Sequence, residues 1–264
     1  MLAVDRRHRI LERVAEDQTI HIGELAKELG VSDMTVRRDV RRLERDGFLR
    51  RTYGGATAHL TRALELGFNA RALQHAAAKR LIGMAAAQLV ADSRTIFVGI
   101  GTTAEQFARF LSAREELTVI TESIPIASLL GTRAMRVIAL GGTVRRDELS
   151  CIGPIATATI SRYHAEVAVL GAAGLSLDLG IAELHEDEAE NHRAMIERSD
   201  RVVVLADGSK FGQAAPALVA PVSAIDILVT DDSAPAGEVQ TLRERGVEVV
   251  EAKASGMRLV RSPE

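Results

Sequence analysis

Five arginines, Arg37, Arg38, Arg41, Arg42 and Arg45, lie within nine consecutive residues between Ser32 and Gly47. On a helix they would occupy the faces left over by Val36, Val40 and Leu43, whose intervals of four and three make an apolar stripe. A helix built this way fits the DNA major groove, with its N-terminal residues at base edges and flanking guanidiniums on phosphates. Arg37 and Arg38 fall in the first two turns, where a guanidinium can grip guanine with two nitrogens. Thr35, Arg41, Arg42 and Arg51 are expected at phosphates, and Ser32 joins them as the N-cap that starts the helix. A solvated charged face is the plainer account of any charge run. It is weakened here because only Asp39, Glu44 and Asp46 stand nearby as acids.

A second group of residues has the chemistry to hold an anion. Ile96-Phe97-Val98 runs into Gly99-Ile100-Gly101-Thr102-Thr103, a strand followed by a glycine turn and a helix. Backbone N–H groups and two hydroxyls would then point at a ligand from a helix N-terminus, which suits phosphate. A plain strand-to-helix turn that needs glycine for its dihedrals fits the same spacing. Lys210, in Asp207-Gly208-Ser209-Lys210-Phe211, follows an apolar strand and would sit where ligands bind in open α/β sheets. Two further patterns point elsewhere. Gly99, Gly101 and Ala104 also fit a relaxed dinucleotide fingerprint, with Glu122 placed 18 residues on as a ribose-binding acid. His185, Glu188 and His192 could share a helix face as divalent-metal ligands, although acidic helix starts are favoured by the dipole alone.

These residues need elements to position them. Ile10, Leu11, Val14 and Ala15 predict a first helix over roughly 5–17. Ile22, Leu25, Ala26 and Leu29 predict a second, stopped by Gly30. The arginine helix is third, and 48–56 reads as a short hairpin, so residues 1–57 form a winged helix-turn-helix. Residues 58–74 read as a connector. From 75 a helix over 75–91 precedes strands at 95–98, 117–121, 136–140, 166–170, 201–206, 225–229 and 247–250. Helices fall between several of them at 103–112, 123–130, 187–198 and 236–245. This alternation predicts a larger Rossmann-like α/β domain over 75–252 with a mostly parallel sheet. The last residues, 253–264, read as a polar, frayed tail.

Composition limits the alternatives. In 264 residues, 47% are hydrophobic and 26% charged, enough for a sizeable core and unlike a disordered or fibrous chain. The longest apolar stretch, Leu81 to Ala91, is broken by Gln88 and too short to span a membrane. No apolar segment follows Asp5-Arg6-Arg7, and a lone Cys151 makes neither an internal disulfide nor a cysteine zinc site, so a cytoplasmic protein is expected. Residues 1–60 carry twelve Lys and Arg against ten Asp and Glu, although the whole chain is at −3. The basic surplus is concentrated in residues 33–51, which is what a phosphate backbone would feel.

Gly-Glu-Leu-Ala (23–26), Val-Ser-Asp-Met-Thr-Val-Arg-Arg-Asp-Val (31–40) and Gly-Gly-Ala (54–56) resemble the N-terminal signature of the DeoR family of bacterial transcriptional regulators. Gly-Thr-Thr (101–103), Asp-Gly-Ser-Lys-Phe (207–211), Lys79, Gly141-Gly142, Gly153, Gly171, Gly174 and the run 188–195 extend the resemblance over nearly the whole chain. The resemblance implies a sensor domain similar to ribose-5-phosphate isomerase, with Gly101, Thr102, Thr103, Gly142 and Lys210 around a phosphorylated sugar. It implies a repressor of a sugar or polyol operon that binds double-stranded operator DNA as a homodimer or homotetramer. No cofactor, metal or catalytic residue is expected. Departures from the family pattern lie at Gly99, where an Asp is usual, at Glu122 in place of Asn, at Ala173 in place of Asp, and at His192 in place of Lys. Glu122 is therefore expected to face effector hydroxyls rather than phosphate. An NAD(H)-sensing repressor and a sugar-phosphate isomerase fused to a DNA-binding domain are the alternatives.

Overall fold

The arginine helix forms where its capping chemistry asks for it. In the computed structural model Gly30 takes a left-handed conformation, φ 64°, and closes helix α1 (Ile22–Leu29) by donating to the carbonyls of Ala26 and Lys27. Ser32 Oγ then accepts the Thr35 N–H at 3.3 Å and starts helix α2 (Asp33–Arg45). The structure describes all residues except 1–5, 8, 11–12, 14–18, 46–49, 53–54, 58–67, 214, 254–255 and 261–264. Of the helix expected over 5–17, residues 6, 7, 9, 10 and 13 are described and helical, while Leu11, Val14 and Ala15 lie outside.

Val36, Val40 and Leu43 pack with Ile10, Ile20, Ile22, Leu25, Ala26, Leu29 and Ala56 in one small core. Strand β1 (Thr19–His21), which the periodicity does not reveal, joins β2 (Arg50–Thr52) and β3 (Gly55–Thr57) in an antiparallel sheet of order β1-β3-β2. A Cβ at Gly55 would run into the carbonyl oxygen of Ile20, so glycine is what lets β1 and β3 pair at this point. Phe48, Leu49, Tyr53 and Gly54 of the expected hairpin lie outside the described residues.

The helices are also tied by charge. Asp39 is buried, and its Oδ2 accepts from Arg6 Nε at 2.6 Å. Asp39 thus holds the arginine helix against the first helix and does not belong to its basic face. Asp39→Asn keeps the shape and removes the charge. It should lower the stability of this unit by about 1.5 kcal/mol, read by urea denaturation.

The second compact unit runs from His75 to Glu264. Within the expected connector, helix α3 (Phe68–Leu73) forms, and residues 58–67 lie outside the described ones. Helix α4 (Ala76–Leu89) leads into an eight-stranded sheet of order β16-β15-β14-β12-β9-β4-β5-β6. Its strands are β4 (Thr95–Val98), β5 (Thr118–Thr121), β6 (Arg136–Ala139), β9 (Val167–Gly171), β12 (Val202–Leu205), β14 (Ile227–Asp231), β15 (Glu248–Lys253) and β16 (Gly256–Val260). All pairs are parallel except β15 with β16. Where the sequence reads a frayed tail from 253, β16 adds an antiparallel edge strand.

The central strands β4, β5, β9, β12 and β14 are buried on both sides, as in a sheet covered on both faces. Ile96, Val98, Val119, Val169 and Val203 face one layer with Ile82 and Ala86 of α4, Phe107 of α5 (Thr102–Phe110) and Ile126 of α6 (Ile124–Leu130). Phe97, Ile120, Ala168, Val204 and Leu228 face the other, with Ile160 of α7 (Pro154–Ile160), Met195 of α8 (Glu186–Glu197) and Leu242 of α9 (Ala236–Glu244). From β4 the sheet grows one way through β5 and β6. From β9 it grows the other way through β12 and β14. Right-handed crossovers going in opposite directions put their helices on opposite faces, which accounts for the two layers.

Short insertions follow the carboxyl ends of three strands. The hairpin β7 (Thr143–Arg145) and β8 (Ser150–Ile152) follows β6. Strands β10 (Gly174–Ser176) and β11 (Gly180–Glu183) follow β9, and β13 (Ala217–Ala220) follows β12 to complete a small sheet of order β10-β11-β13. At three or four residues apiece these strands carry too little alternation to be read from sequence. Among the described residues no helix is long and apolar enough to cross a membrane.

Candidate functional site

On the N-terminal unit, burial of Val36 and Val40 turns Arg37, Arg38, Arg41 and Arg42 outward, and all four are exposed. Ser32 and Thr35 meet at the helix start with their hydroxyls 2.9 Å apart. Arg51 is expected at phosphate. The fold brings its backbone N–H within 3.1 Å of Glu44, and its guanidinium pairs with the same carboxylate. The backbone bond from Arg51 holds the Glu44 carboxyl below its ordinary range. Strand β2 is thereby tied to the end of helix α2, and Arg51 stands beside the arginine face with a partner already in place. The side chains of Arg45 and Arg50 lie outside the described residues.

On the second unit the candidate residues lie at the carboxyl end of the parallel strands. Order reverses between β4 and β9, and open α/β sheets form their ligand crevice at such a switch point, outside the carboxyl ends of the strands. The Gly99 N–H donates to Val169 across this seam at 2.9 Å. Gly101 takes φ 110° and caps α5, with open space where its Cβ would stand. Thr102 and Thr103 follow in the first turn, both buried. The first N–H groups of such a helix have no carbonyl partner within it. Gly171 closes on the opposite strand end, where a Cβ would come within 2.8 Å of the Ile100 carbonyl.

Lys210 ends a single 3-10 turn, Gly208–Lys210, beyond β12. Asp207 caps that turn by accepting the Ser209 N–H at 3.0 Å, and Asp231 accepts the Gly208 N–H at 2.8 Å. Lys210 is half-buried and has no carboxylate within 4.0 Å among the described residues. Gly142 lies past β6, exposed, at φ 120°, where a Cβ would sit 2.5 Å from the Ile152 carbonyl oxygen. The structure therefore sets Gly99, Gly101, Thr102, Thr103 and Glu122 on adjacent strand ends. Lys210 stands two strands from β4, and Gly142 at the edge.

Glu122 does not face outward as expected for a contact to hydroxyls. It is fully buried, accepts from Asn191 Nδ2 at 2.5 Å, and has Oε1 3.0 Å from His192 Nε2. His192 turns its Nδ1 toward Glu183 at 3.5 Å. Burial opposes charge on this imidazole. The facing Glu122 carboxylate overcomes it, with Glu183 and Glu188 behind, and raises His192 from 6.5 to about 9. Cys151 is buried beside them, and burial, then Glu122, pushes its thiol up.

The carboxylate that a dinucleotide ribose would need is thus committed elsewhere. Of the suggested metal ligands, His185 caps α8 from outside the helix. Glu188 instead meets Arg145 at 2.9 Å and Ser150 at 2.7 Å. Sequence reasoning missed Glu183, Asn191 and Arg145. The short spacing of Glu188, Asn191 and His192 on one helix was the available signal.

Gly99 is explained by this cluster. A Cβ there would lie 2.7 Å from His192 Nε2 and 3.1 Å from Leu170 Cδ2. Gly99→Ala should cost about 2 kcal/mol through overpacking, measured as a lowered urea midpoint, and His192→Ala should relieve most of that cost in the double variant.

Both units match known family models. Residues 6–61 match the DeoR-like helix-turn-helix domain, and residues 74–232 match the DeoR C terminal sensor domain. The HTH-type transcriptional regulator GlpR of Haloferax volcanii is 31% identical, over 96% of this chain and 100% of its own. The glycerol-3-phosphate regulon repressor of Escherichia coli K12 is 28% identical, over 94% and 99%. Among solved structures, ribose 5 phosphate isomerase A from Neisseria gonorrhoeae aligns at a TM-score of 0.41 and 12% identity, over 70% of this chain and 96% of that one. With a helix-turn-helix match over the unit that carries the arginine helix and a sensor-domain match over most of the parallel sheet, the chain belongs to the DeoR family of DNA-binding transcriptional regulators.

Proposed function

We propose that this chain represses an operon of sugar or polyol metabolism and is controlled by a phosphorylated sugar-type effector held at Gly101, Thr102, Thr103 and Lys210. The observation that carries this reading is the glycine-capped start of α5 at the switch point, with open space over Gly101 and two threonines behind it. Arg37 and Arg38 read base edges, Arg41 and Arg42 take phosphates, and Ser32, Thr35 and Arg51 support the contact from the two ends of the helix. A homodimer or homotetramer sets two such helices on repeated half-sites. The effector shifts the population away from DNA by binding the DNA-incompetent arrangement more tightly.

The chain is a regulator and does not turn over its ligand. Isomerisation needs a positioned general base, and Glu122 is already engaged by Asn191 and His192. The test is a thermal-shift screen of the full-length protein against sugar phosphates, the matching free sugars and NAD(H), with each hit assayed for turnover. A ligand that binds the folded state raises the midpoint by mass action. Sugar phosphates should shift it, their free sugars should not, and Lys210→Ala should reduce the shift. A shift by NAD(H) alone, or turnover of a pentose phosphate, would overturn this reading.

A further inference from the structure

Among the described residues between Arg6 and Thr57, Met34 is the large apolar side chain left exposed, at 64%. It stands in the first turn of α2, two residues after the Ser32 cap and two before the fully buried Val36. Single exposed apolar side chains are common on any surface and by themselves mean little. Position sets this one apart. Met34 precedes Arg38 by four residues and Arg41 by seven, the intervals that place side chains on one helix face. All three are exposed, and the core residues Val36, Val40 and Leu43 lie on the opposite side. The middle of the outward face thus begins with a thioether and continues with guanidiniums.

That order matters in a major groove, because the N-terminal turns of such a helix face base edges. A methionine there has no hydrogen bond to donate to a base and no charge for a phosphate. The apolar group that the bases present in this groove is the C5 methyl of thymine. Methionine is unbranched and polarizable, so it settles on such a group without demanding one rotamer. Four residues of helix rise about 6 Å, less than two base-pair steps of about 3.4 Å. A base pair one or two steps from the one facing Arg38 is therefore within reach.

We infer that Met34 is a specificity-determining residue of the arginine helix. Its side chain covers the methyl group of one thymine in each operator half-site, within two base pairs of the base that Arg38 faces. This inference rests on α2 being the helix that reads sequence, as proposed above.

Fluorescence anisotropy of the full-length protein tests it, on operator duplexes that each have one thymine replaced by uracil. Uracil keeps every hydrogen-bonding group of thymine and lacks only the methyl. At one thymine per half-site the exchange should weaken binding about fourfold, the worth of one buried methyl-sized group. Met34→Ala should bind the unaltered operator about five- to tenfold more weakly and lose less than about 1.5-fold from that same exchange. Its salt slope should match the parent's, because no phosphate contact is removed. Met34→Leu, which stays apolar, should keep a response to the exchange of at least about twofold. Both variants should melt within about a degree of the parent, since the side chain is exposed in the free protein. If no thymine methyl matters, or if the same thymine still matters to Met34→Ala, the inference falls while the arginine contacts stand. Equal weakening by Met34→Ala on operator and scrambled duplexes also overturns it. If Arg37→Ala and Arg38→Ala both keep full discrimination, the reading of α2 fails, and this contact with it.

Discussion

Arg37→Ala and Arg38→Ala are expected to weaken operator binding by roughly 10- to 100-fold for whichever residue makes the two-pronged guanine contact, the range such a contact is worth. Both side chains are exposed on α2, while the core beneath is made by Val36, Val40 and Leu43. The thermal midpoint should therefore stay within about a degree of the parent, as surface changes of this kind are nearly neutral. Arg41→Ala should behave differently. It should weaken binding to all sequences alike and reduce the slope of log affinity against log salt by about 1, because it would remove a phosphate contact. Fluorescence anisotropy on operator and scrambled duplexes, at several salt concentrations, separates the two. If both Arg37→Ala and Arg38→Ala keep full affinity and full discrimination, α2 is not the helix that reads sequence.

The second large effect is on stability against pH. In the folded protein His192 holds its proton up to about pH 9, whereas an unfolded chain releases it near 6.5. Between these values the folded state binds more protons than the unfolded one, so stability falls as pH rises. The contribution is complete below pH 6.5 and lost as pH passes 9. The difference in pKa converts to roughly 3 kcal/mol, at about 1.4 kcal/mol per unit. Urea denaturation at pH 6, 7.5 and 9 measures it. The parent should lose stability steadily over this window, and His192→Gln should lose distinctly less. Because burial also raises the Cys151 thiol and so makes stability depend on pH at the upper end of this window, the difference between the two proteins is the decisive quantity. Parallel curves would mean that His192 is neutral in the folded state.

What was legible in the sequence depended on range. The arginine face of α2 could be read directly, because a helix's outward residues follow from which neighbours three and four positions away are apolar. The Gly30 stop and the Ser32 cap are likewise local chemistry. The central parallel strands could be read because a strand buried on both faces is a continuous apolar run, and Ile96 to Val98 or Val202 to Leu205 are such runs. Strands β7, β8, β10, β11 and β13 could not be read. They are three or four residues long, and their pairing is decided by what they cover.

The candidate site divides in the same way. Gly101, Thr102 and Thr103 are consecutive, so the turn and its helix start were visible in one line of text. The roles of Asp39 and Glu122 were not. Asp39 meets Arg6 from 33 residues away, and Glu122 meets Asn191 from 69 residues away. Read alone, Asp39 belongs to a charged helix face and Glu122 looks like a ligand for hydroxyls. Whether a carboxylate faces solvent, a ligand or a buried cation depends on which distant segment the sheet order delivers beside it. By itself the sequence located the arginine helix, the glycine turn and the alternation of strands and helices, since each follows from neighbours a few residues apart. Only the tertiary structure decided that Gly99 makes room for His192, and that His192 is charged, since burial and its two carboxylates come together only when β5, β11 and α8 are assembled.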